Sequence, residues 1–324
     1  MKIISKDQRD LIDALIIEQD LDGISAAILE KDIHVSDALR ALASIEHESL
    51  QLVFCGGTSL SKAHRIIKRM SEDIDLKVVL APNHGFSQNQ LKSHLSALKR
   101  KIADCMIGLG FSEIPEEMVA RNANGFFASG WHYNPQYAAA TSLRPHLKLE
   151  FTTRTPYFAT SQQTLGYLAY QLATQDATPF TMQCVAVEET LGEKVLSFLR
   201  RFAEHRAGVR DNWDDALVRH IYDTWCIVAA DGTAVERATK HFKDLVAFDQ
   251  GEFTRHAAFC ANPAECLSQA LETVGQDKQT IDEYATKLVP LIYGDDRPSF
   301  DAAFGVFRTA AQTLLSTLPA VKRT

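Results

Sequence analysis

An α/β fold is predicted for this chain: a small mixed sheet with flanking helices, then a mainly helical half. Three observations predict it. The apolar run Leu52–Phe54 and the alternating stretch Ile74–Val79 bracket a glycine pair and a basic segment. His146–Phe151 alternates polar and apolar residues, the period of a strand. From Ser161 onward the apolar spacing is helical, apart from one short strand expected at Val185 and Val187.

Taken in order, residues 7–18 place Leu11, Ile12, Leu15 and Ile16 at helical spacing, and a second helix is expected over 26–42. In that second helix Glu30, Lys31 and Asp32 read as a solvated face, with substrate contact by Lys31 or Asp32 as the alternative. Residues 90–108 form an amphipathic helix with Leu91, Leu95, Leu98, Ile102 and Met106 on one side. Lys92, Lys99, Arg100 and Lys101 lie on its other side. They read as solvated lysines and arginine, or as contacts to RNA phosphates. Asn124-Gly125 marks a hairpin turn between strands at 118–122 and 126–133. About four helices are expected over 234–318, a region without a chemical motif. The domain expectation is 1–155 for the sheet-bearing core and 156–324 for a helical domain that completes the active-site cleft.

The formal net charge is −7, so nucleic-acid binding would need a local basic patch. Met1–Asp13 has no signal-peptide core, and no stretch approaches the ~18 uncharged apolar residues of a membrane span. The cysteines at 55, 105, 184, 226, 260 and 266 form no C-x-x-C pair. They read as reduced thiols of a cytoplasmic protein, not as a zinc site.

The chemistry concentrates in residues 52–79, LVFCGGTSLSKAHRIIKRMSEDIDLKVV. Gly56 and Gly57 let the backbone turn sharply and approach a ligand without a Cβ in the way. Thr58 and Ser59 are expected to cap a helix carrying Leu60, Ala63, Ile66 and Ile67. Backbone N–H groups at such a start can hold phosphate. Strand alternation sends Asp73 and Asp75 to one face and Ile74 and Leu76 to the other. Two carboxylates so placed suit Mg²⁺ or Mn²⁺. A metal gripping phosphates beside a glycine turn is the working end of a nucleotidyltransferase, which depends on positioning and charge neutralisation. The plainer reading is a loop and a strand with two solvated aspartates. A Walker A loop is absent.

The stretch resembles the signature of the AbiEii/AbiGii toxin family of nucleotidyltransferases, G-G-T-x-L-x-K followed by R-x-S-x-D-x-D. Here it reads Gly56-Gly57-Thr58-Ser59-Leu60-Ser61-Lys62, then Arg69-Met70-Ser71-Glu72-Asp73-Ile74-Asp75. Fourteen residues separate Thr58 from Asp73, a wider spacing than in many nucleotidyltransferases. Weaker similarity runs over most of the first two-thirds of the chain. The resemblance implies that Asp73 and Asp75 hold metal, with Glu150 on a neighbouring strand as the third carboxylate. It implies that Gly56, Gly57, Thr58, Ser59, Lys62, Arg69 and Ser71 line the nucleotide site. Arg144 and Arg154 flank Glu150 and could meet phosphate.

Two later segments extend the resemblance. Glu189-Thr190-Leu191-Gly192-Glu193-Lys194 resembles an E-T-x-x-E-K motif whose lysine sits near the nucleotide. Thr190 and Glu193 also fit a capping box, which would put Lys194 in a first helical turn. Arg219-His220-x-x-Asp223 resembles R-H-x-x-D, with the last acid near the active site. Its competitor is Arg210-Asp211-x-x-Asp214, and Arg219 with Asp223 could simply pair along one helix face. The implied partners are a nucleoside triphosphate, an acceptor that is first of all RNA (a tRNA 3′ end), and a separately encoded antitoxin. The implied setting is growth inhibition in phage defence. A small-molecule or protein acceptor, and a nucleotide-binding module without turnover, are the alternatives.

Overall fold

The computed structural model describes residues 1–18, 21, 23–47, 49–138, 143–175, 178–210, 212–294 and 296–319. The chain forms two compact units, Met1–Val185 and Ala186–Thr324. In the first, seven strands make one mixed sheet: β1 Leu50–Cys55, β2 Asp73–Leu80, β3 Ser112–Arg121, β4 Phe126–His132, β5 His146–Thr153, β6 Ser161–Leu165 and β7 Phe180–Cys184. Their order is β3-β4-β5-β2-β1-β7-β6. The pairs β2/β5 and β1/β7 are parallel and the others antiparallel. Helices α1 Lys6–Glu18, α2 Ala26–Ala43, α3 Gly56–Lys62, α4 Gln88–Gly108 and α5 Leu168–Leu172 accompany the sheet.

The core lies on one face of this sheet. Ile74, Leu76 and Val78 of β2 and Leu147, Leu149 and Phe151 of β5 pack with Leu39 and Leu42 of α2 and Leu95, Leu98 and Ile102 of α4. Because side chains alternate along a strand, burying this set sends Asp73, Asp75, Lys148 and Glu150 to the opposite face. Ser87 starts α4 with a complete capping box, its hydroxyl meeting Gln90 and the Gln90 side chain returning to the Ser87 N–H. The hairpin expected at Asn124-Gly125 joins β3 to β4 through a turn of 3₁₀ helix, Asn122–Asn124.

Several local expectations change. The glycine-led helix stops at Lys62 instead of reaching Ile67, because Arg65 takes a left-handed φ of 55° and the chain turns back to begin β2. Ser161–Leu165 is an edge strand rather than helix, since pairing with β7 supplies backbone partners that this polar stretch lacks alone.

The largest change concerns α2. Glu30, Lys31 and Asp32 are not solvated but buried, 2%, 0% and 6% exposed. Each is answered by a different segment. Glu30 accepts the backbone N–H groups of Gln136 (2.7 Å) and Tyr137 (3.2 Å). Lys31 Nζ donates to the carbonyls of Arg144 (2.7 Å) and His146 (2.5 Å) and lies 3.5 Å from Glu72. Asp32 takes Lys62 Nζ at 2.5 Å and the Leu168 N–H at 2.8 Å. Burial pushes the Glu30 carboxyl up and the Lys31 ammonium down, Glu72 opposing the latter.

His34, one turn beyond Glu30, is fully buried with its ring centroid 4.2 Å from that of Tyr133. Burial, then the charges of Lys2 and Lys31, push its pKa down to about 3, while Glu30 lies 3.9 Å from Nε2. The folded state therefore holds His34 neutral, whereas the unfolded chain protonates it near pH ~6.5. Its stabilising contribution is complete above that value and lost as pH falls towards 3, at up to ~1.4 kcal/mol per pH unit. His34→Phe is expected to flatten this slope. Urea midpoints for both proteins at pH 7, 5.5 and 4.5 check it, and parallel slopes would remove His34 as the cause.

The second unit is helical: α6 Val187–Arg206, α7 Arg219–Ala230, α8 Ala234–Glu252, α9 Ala257–Ala261, α10 Pro263–Val274, α11 Lys278–Glu283 and α12 Phe300–Leu315. The short strand ends at Cys184, and Val187 opens α6. Thr190 is inside that helix, its hydroxyl on the Ala186 carbonyl, so it caps nothing. The acids Glu188 and Glu189 fill the first turn instead, where the helix dipole favours them. No helix of the described residues is long and apolar enough to cross a membrane. All six cysteines are free thiols, four of them buried.

Candidate active site

The site is built at the junction of β1, α3, β2 and β5. Asp75 stands beside Cys55 of β1 on one side and Glu150 of β5 on the other. Asp73 is in register with Lys148. In a parallel pair, residues in register share a face, and adjacent strands are ~4.8 Å apart. Asp73, Asp75 and Glu150 therefore share one sheet face within two rows, as their alternation predicts.

Gly56 has a φ of +74°, and a Cβ added there would lie 2.9 Å from Asp75 Cγ and 3.0 Å from Asp75 Cβ, with Oδ2 closer still. The Asp75 carboxylate thus rests directly on the first glycine of α3. Gly56→Ala is expected to cost ~1–3 kcal/mol of stability through the left-handed backbone. It should also lower nucleotidyl transfer at least about 100-fold by displacing Asp75. A thermal melt beside a turnover assay separates the two effects, and near-native turnover would contradict the close fit.

Thr58 and Ser59 do not cap α3, whose N-cap is Cys55 without a side-chain bond. Thr58 is fully buried, and its hydroxyl bonds the Asp73 carbonyl and, at 2.9 Å, Ser71 Oγ. This bond returns the start of β2 to α3 and so closes the wide spacing between the two motifs. Ser71 serves that tie. Arg69 is 2% exposed and donates to the Met70 carbonyl at 3.0 Å. Lys62 is held by Asp32.

The carboxylates are already engaged by cations. Arg144 Nη1 is 2.7 Å from Asp73 Oδ1, and Lys148 Nζ is paired with Glu150 Oε1. Burial opposes the Arg144 charge, but Asp73, Glu72, Glu150 and Glu117 together hold its pKa above the usual value. Among the described residues no group of three or more His, Cys, Asp and Glu side chains is gathered to hold a metal ion. Even so, three carboxylates on adjacent rows, one laid against a glycine, are an all-oxygen donor set that fits a hard divalent cation.

Lys194 and Asp223 are both in the second unit, and the structure joins them: Nζ to Oδ2 is 2.6 Å, with Asp223 fully buried. Lys194 is not in a first turn. His220 Nδ1 meets the Lys194 carbonyl at 3.1 Å. Burial, with Lys194 and Arg201, pushes the His220 pKa well below its usual value, so the neutral ring donates there. The R-H-x-x-D motif is therefore a clasp in which residues three apart hold one lysine by backbone and by charge. In the competing alignment, Asp211 lies outside the described residues, and Asp214 pairs with Arg201 and bonds the Ala216 N–H.

Sequence reasoning missed Glu72 as part of this region, gave Lys31 substrate contact only as the alternative to a solvated face, and placed Lys148 on the face of Glu150 without a role. Lys148 was readable, because it alternates with Glu150. Lys31 and Glu72 carry no spacing signal, since their contacts join distant segments.

A glycine-led helix packed on a two-aspartate strand, with a third carboxylate in register, is the arrangement expected of a nucleotidyltransferase fold. A model of the family described as Nucleotidyl transferase AbiEii toxin, Type IV TA system, matches residues 37–306. The chain belongs to this AbiEii family: it is a nucleotidyltransferase and a toxin of the toxin–antitoxin and phage-defence kind. Among solved structures it is similar to MenT4, a nucleotidyltransferase toxin from Mycobacterium tuberculosis H37Rv. That likeness has 15% identity, a TM-score of 0.57, and covers 96% of this chain and 90% of that one. It also matches JHP933 from Helicobacter pylori at 12% identity and a TM-score of 0.40, over 90% and 94% of the two chains. No curated protein matches. The MenT4 likeness bears on the fold alone. Family membership implies a nucleoside triphosphate, metal use and an antitoxin partner.

Proposed function

We propose that the protein transfers a nucleoside monophosphate from a triphosphate to RNA, first of all a tRNA 3′ end. The observation that carries the chemistry is the row of Asp73, Asp75 and Glu150 on one sheet face, with Asp75 seated on Gly56. Those three carboxylates would hold Mg²⁺ or Mn²⁺. When bound, the ion neutralises triphosphate charge and draws electrons from the attacked phosphorus. Glu150 accepts the proton of the acceptor hydroxyl as its oxygen bonds the α-phosphorus and pyrophosphate departs. The N–H groups of Gly57, Thr58 and Ser59 orient the outer phosphates. Their hydroxyls are already spent internally or buried, so the backbone is the available donor. Lys62 balances the phosphate charge, and within the second unit Asp223 with His220 positions Lys194.

Exposed Lys92, Arg100 and Lys101 on α4, which packs on the sheet face opposite the carboxylates, add positive charge to an acidic protein and would hold an RNA acceptor away from its reacting end. A cationic small molecule is the second reading, favoured by the carboxylate excess of Glu72, Asp73, Asp75, Glu117 and Glu150 near Arg144. Incubation with Mg²⁺, total RNA and each labelled triphosphate tests the choice. Label on a discrete RNA band, lost in the Asp73→Ala, Asp75→Ala protein, is the expected result. Pyrophosphate release without labelled RNA would overturn the RNA assignment.

A further inference from the structure

We propose that Arg144 is an internal stand-in for the metal and then a clamp for the triphosphate, an inference that rests on the carboxylate site described above. Its guanidinium occupies Asp73 Oδ1 at 2.7 Å, on the carboxylate that the metal needs. Its main chain is held from two sides. The Arg144 N–H donates to Glu72 Oε2 at 2.7 Å, and its carbonyl accepts Lys31 Nζ at 2.7 Å. Glu72 and Lys31 are 2% and 0% exposed, and they lie 3.5 Å apart. Pro145 follows, which further restricts the Arg144 backbone. The Cα is therefore pinned, while the side chain, 34% exposed, is anchored to Asp73 through its charged end.

This arrangement has a physical purpose. Asp73, Asp75 and Glu150 repel one another when no cation lies among them. Arg144 on Asp73 and Lys148 on Glu150 relieve that repulsion. A divalent ion arriving on Asp73 repels the guanidinium and takes its partner. Arg144 then has a fixed root, a permanent charge and a planar fork beside the carboxylates, the geometry that grips phosphate oxygens two at a time. Exchange between the two partners makes metal binding and triphosphate binding cooperative: releasing the arginine costs metal affinity and adds nucleotide affinity. Lys31 and Glu72 are positioning residues, because they hold the backbone from which the fork swings.

The test is Mn²⁺ binding to the full-length protein without nucleotide, followed by the electron paramagnetic resonance of free Mn²⁺, beside steady-state kinetics. Arg144→Gln removes the competitor and is expected to bind Mn²⁺ about fivefold tighter, the order of one partly exposed ion pair. Its KM for triphosphate at saturating metal is expected to rise about tenfold or more. Arg144→Lys keeps the charge and loses the fork, so Mn²⁺ affinity should stay near wild type while KM still rises. Thermal melts of all variants report folding. Equal or weaker Mn²⁺ binding by folded Arg144→Gln overturns the proposal while leaving the carboxylate site standing. Binding that survives Asp75→Asn at full strength, or no binding by wild type, overturns the carboxylate site and this proposal together.

Discussion

Asp75→Asn is expected to lower nucleotidyl transfer by about 10³-fold while the protein still folds. The substitution keeps volume and shape against Gly56, so the close packing there survives. It removes one negative charge from the middle of the carboxylate row, between Cys55 and Glu150. An amide oxygen is a poorer ligand for a hard cation than a carboxylate, and it cannot balance the charge of a metal-bound triphosphate. The loss should lie in kcat more than in KM if the metal acts chiefly in the transition state. Initial rates over a range of triphosphate and Mg²⁺, beside a circular-dichroism melt, decide the matter. Retention of a tenth of the wild-type rate would place the metal elsewhere.

Lys31→Met is expected to destabilise the protein by ~3–5 kcal/mol, the cost of breaking a buried ion pair from one side. Methionine fills the space of the lysine stem but supplies no donor. The carbonyls of Arg144 and His146 lose their bonds at 2.7 and 2.5 Å, and Glu72 keeps a buried charge without its ammonium. Adding Glu72→Gln should recover ~1 kcal/mol or more, because the carboxylate that faced Lys31 becomes neutral even though the carbonyls remain unmet. Urea unfolding of the two single variants and the double gives the coupling. Simple additivity would mean that Lys31 acts through its carbonyl contacts alone.

Much of the site was legible because its residues are neighbours in the chain. Gly56, Gly57, Asp73 and Asp75 lie in one stretch whose strand and glycine signals are local, and the face shared by Asp73 and Asp75 follows from the two-residue period of a strand. The face of Glu150 follows from the same period on a second strand, while its choice as third carboxylate came from the family resemblance. The helix limits near Arg65 and Ala186 were not legible, since a left-handed residue and a helix start without a side-chain cap leave no local mark. The charged run of α2 misled for a related reason. Glu30-Lys31-Asp32 has the composition of a solvated face, and only partners on other segments, at Lys62, Glu72, Gln136, Arg144 and Leu168, make its burial tolerable.

The sequence by itself determined the chemistry: which strand carries paired carboxylates, where the backbone turns without a Cβ, and which family the signature resembles. Tertiary structure alone decided how those charges are spent. It placed Arg144 on Asp73, Lys148 on Glu150, Lys62 on Asp32 and Lys194 on Asp223. The physical reason is range. Backbone preferences act over a few residues and can be read along the chain. Buried charges must find opposite charge or hydrogen bonds wherever the fold brings them, and that pairing is a property of the packed molecule.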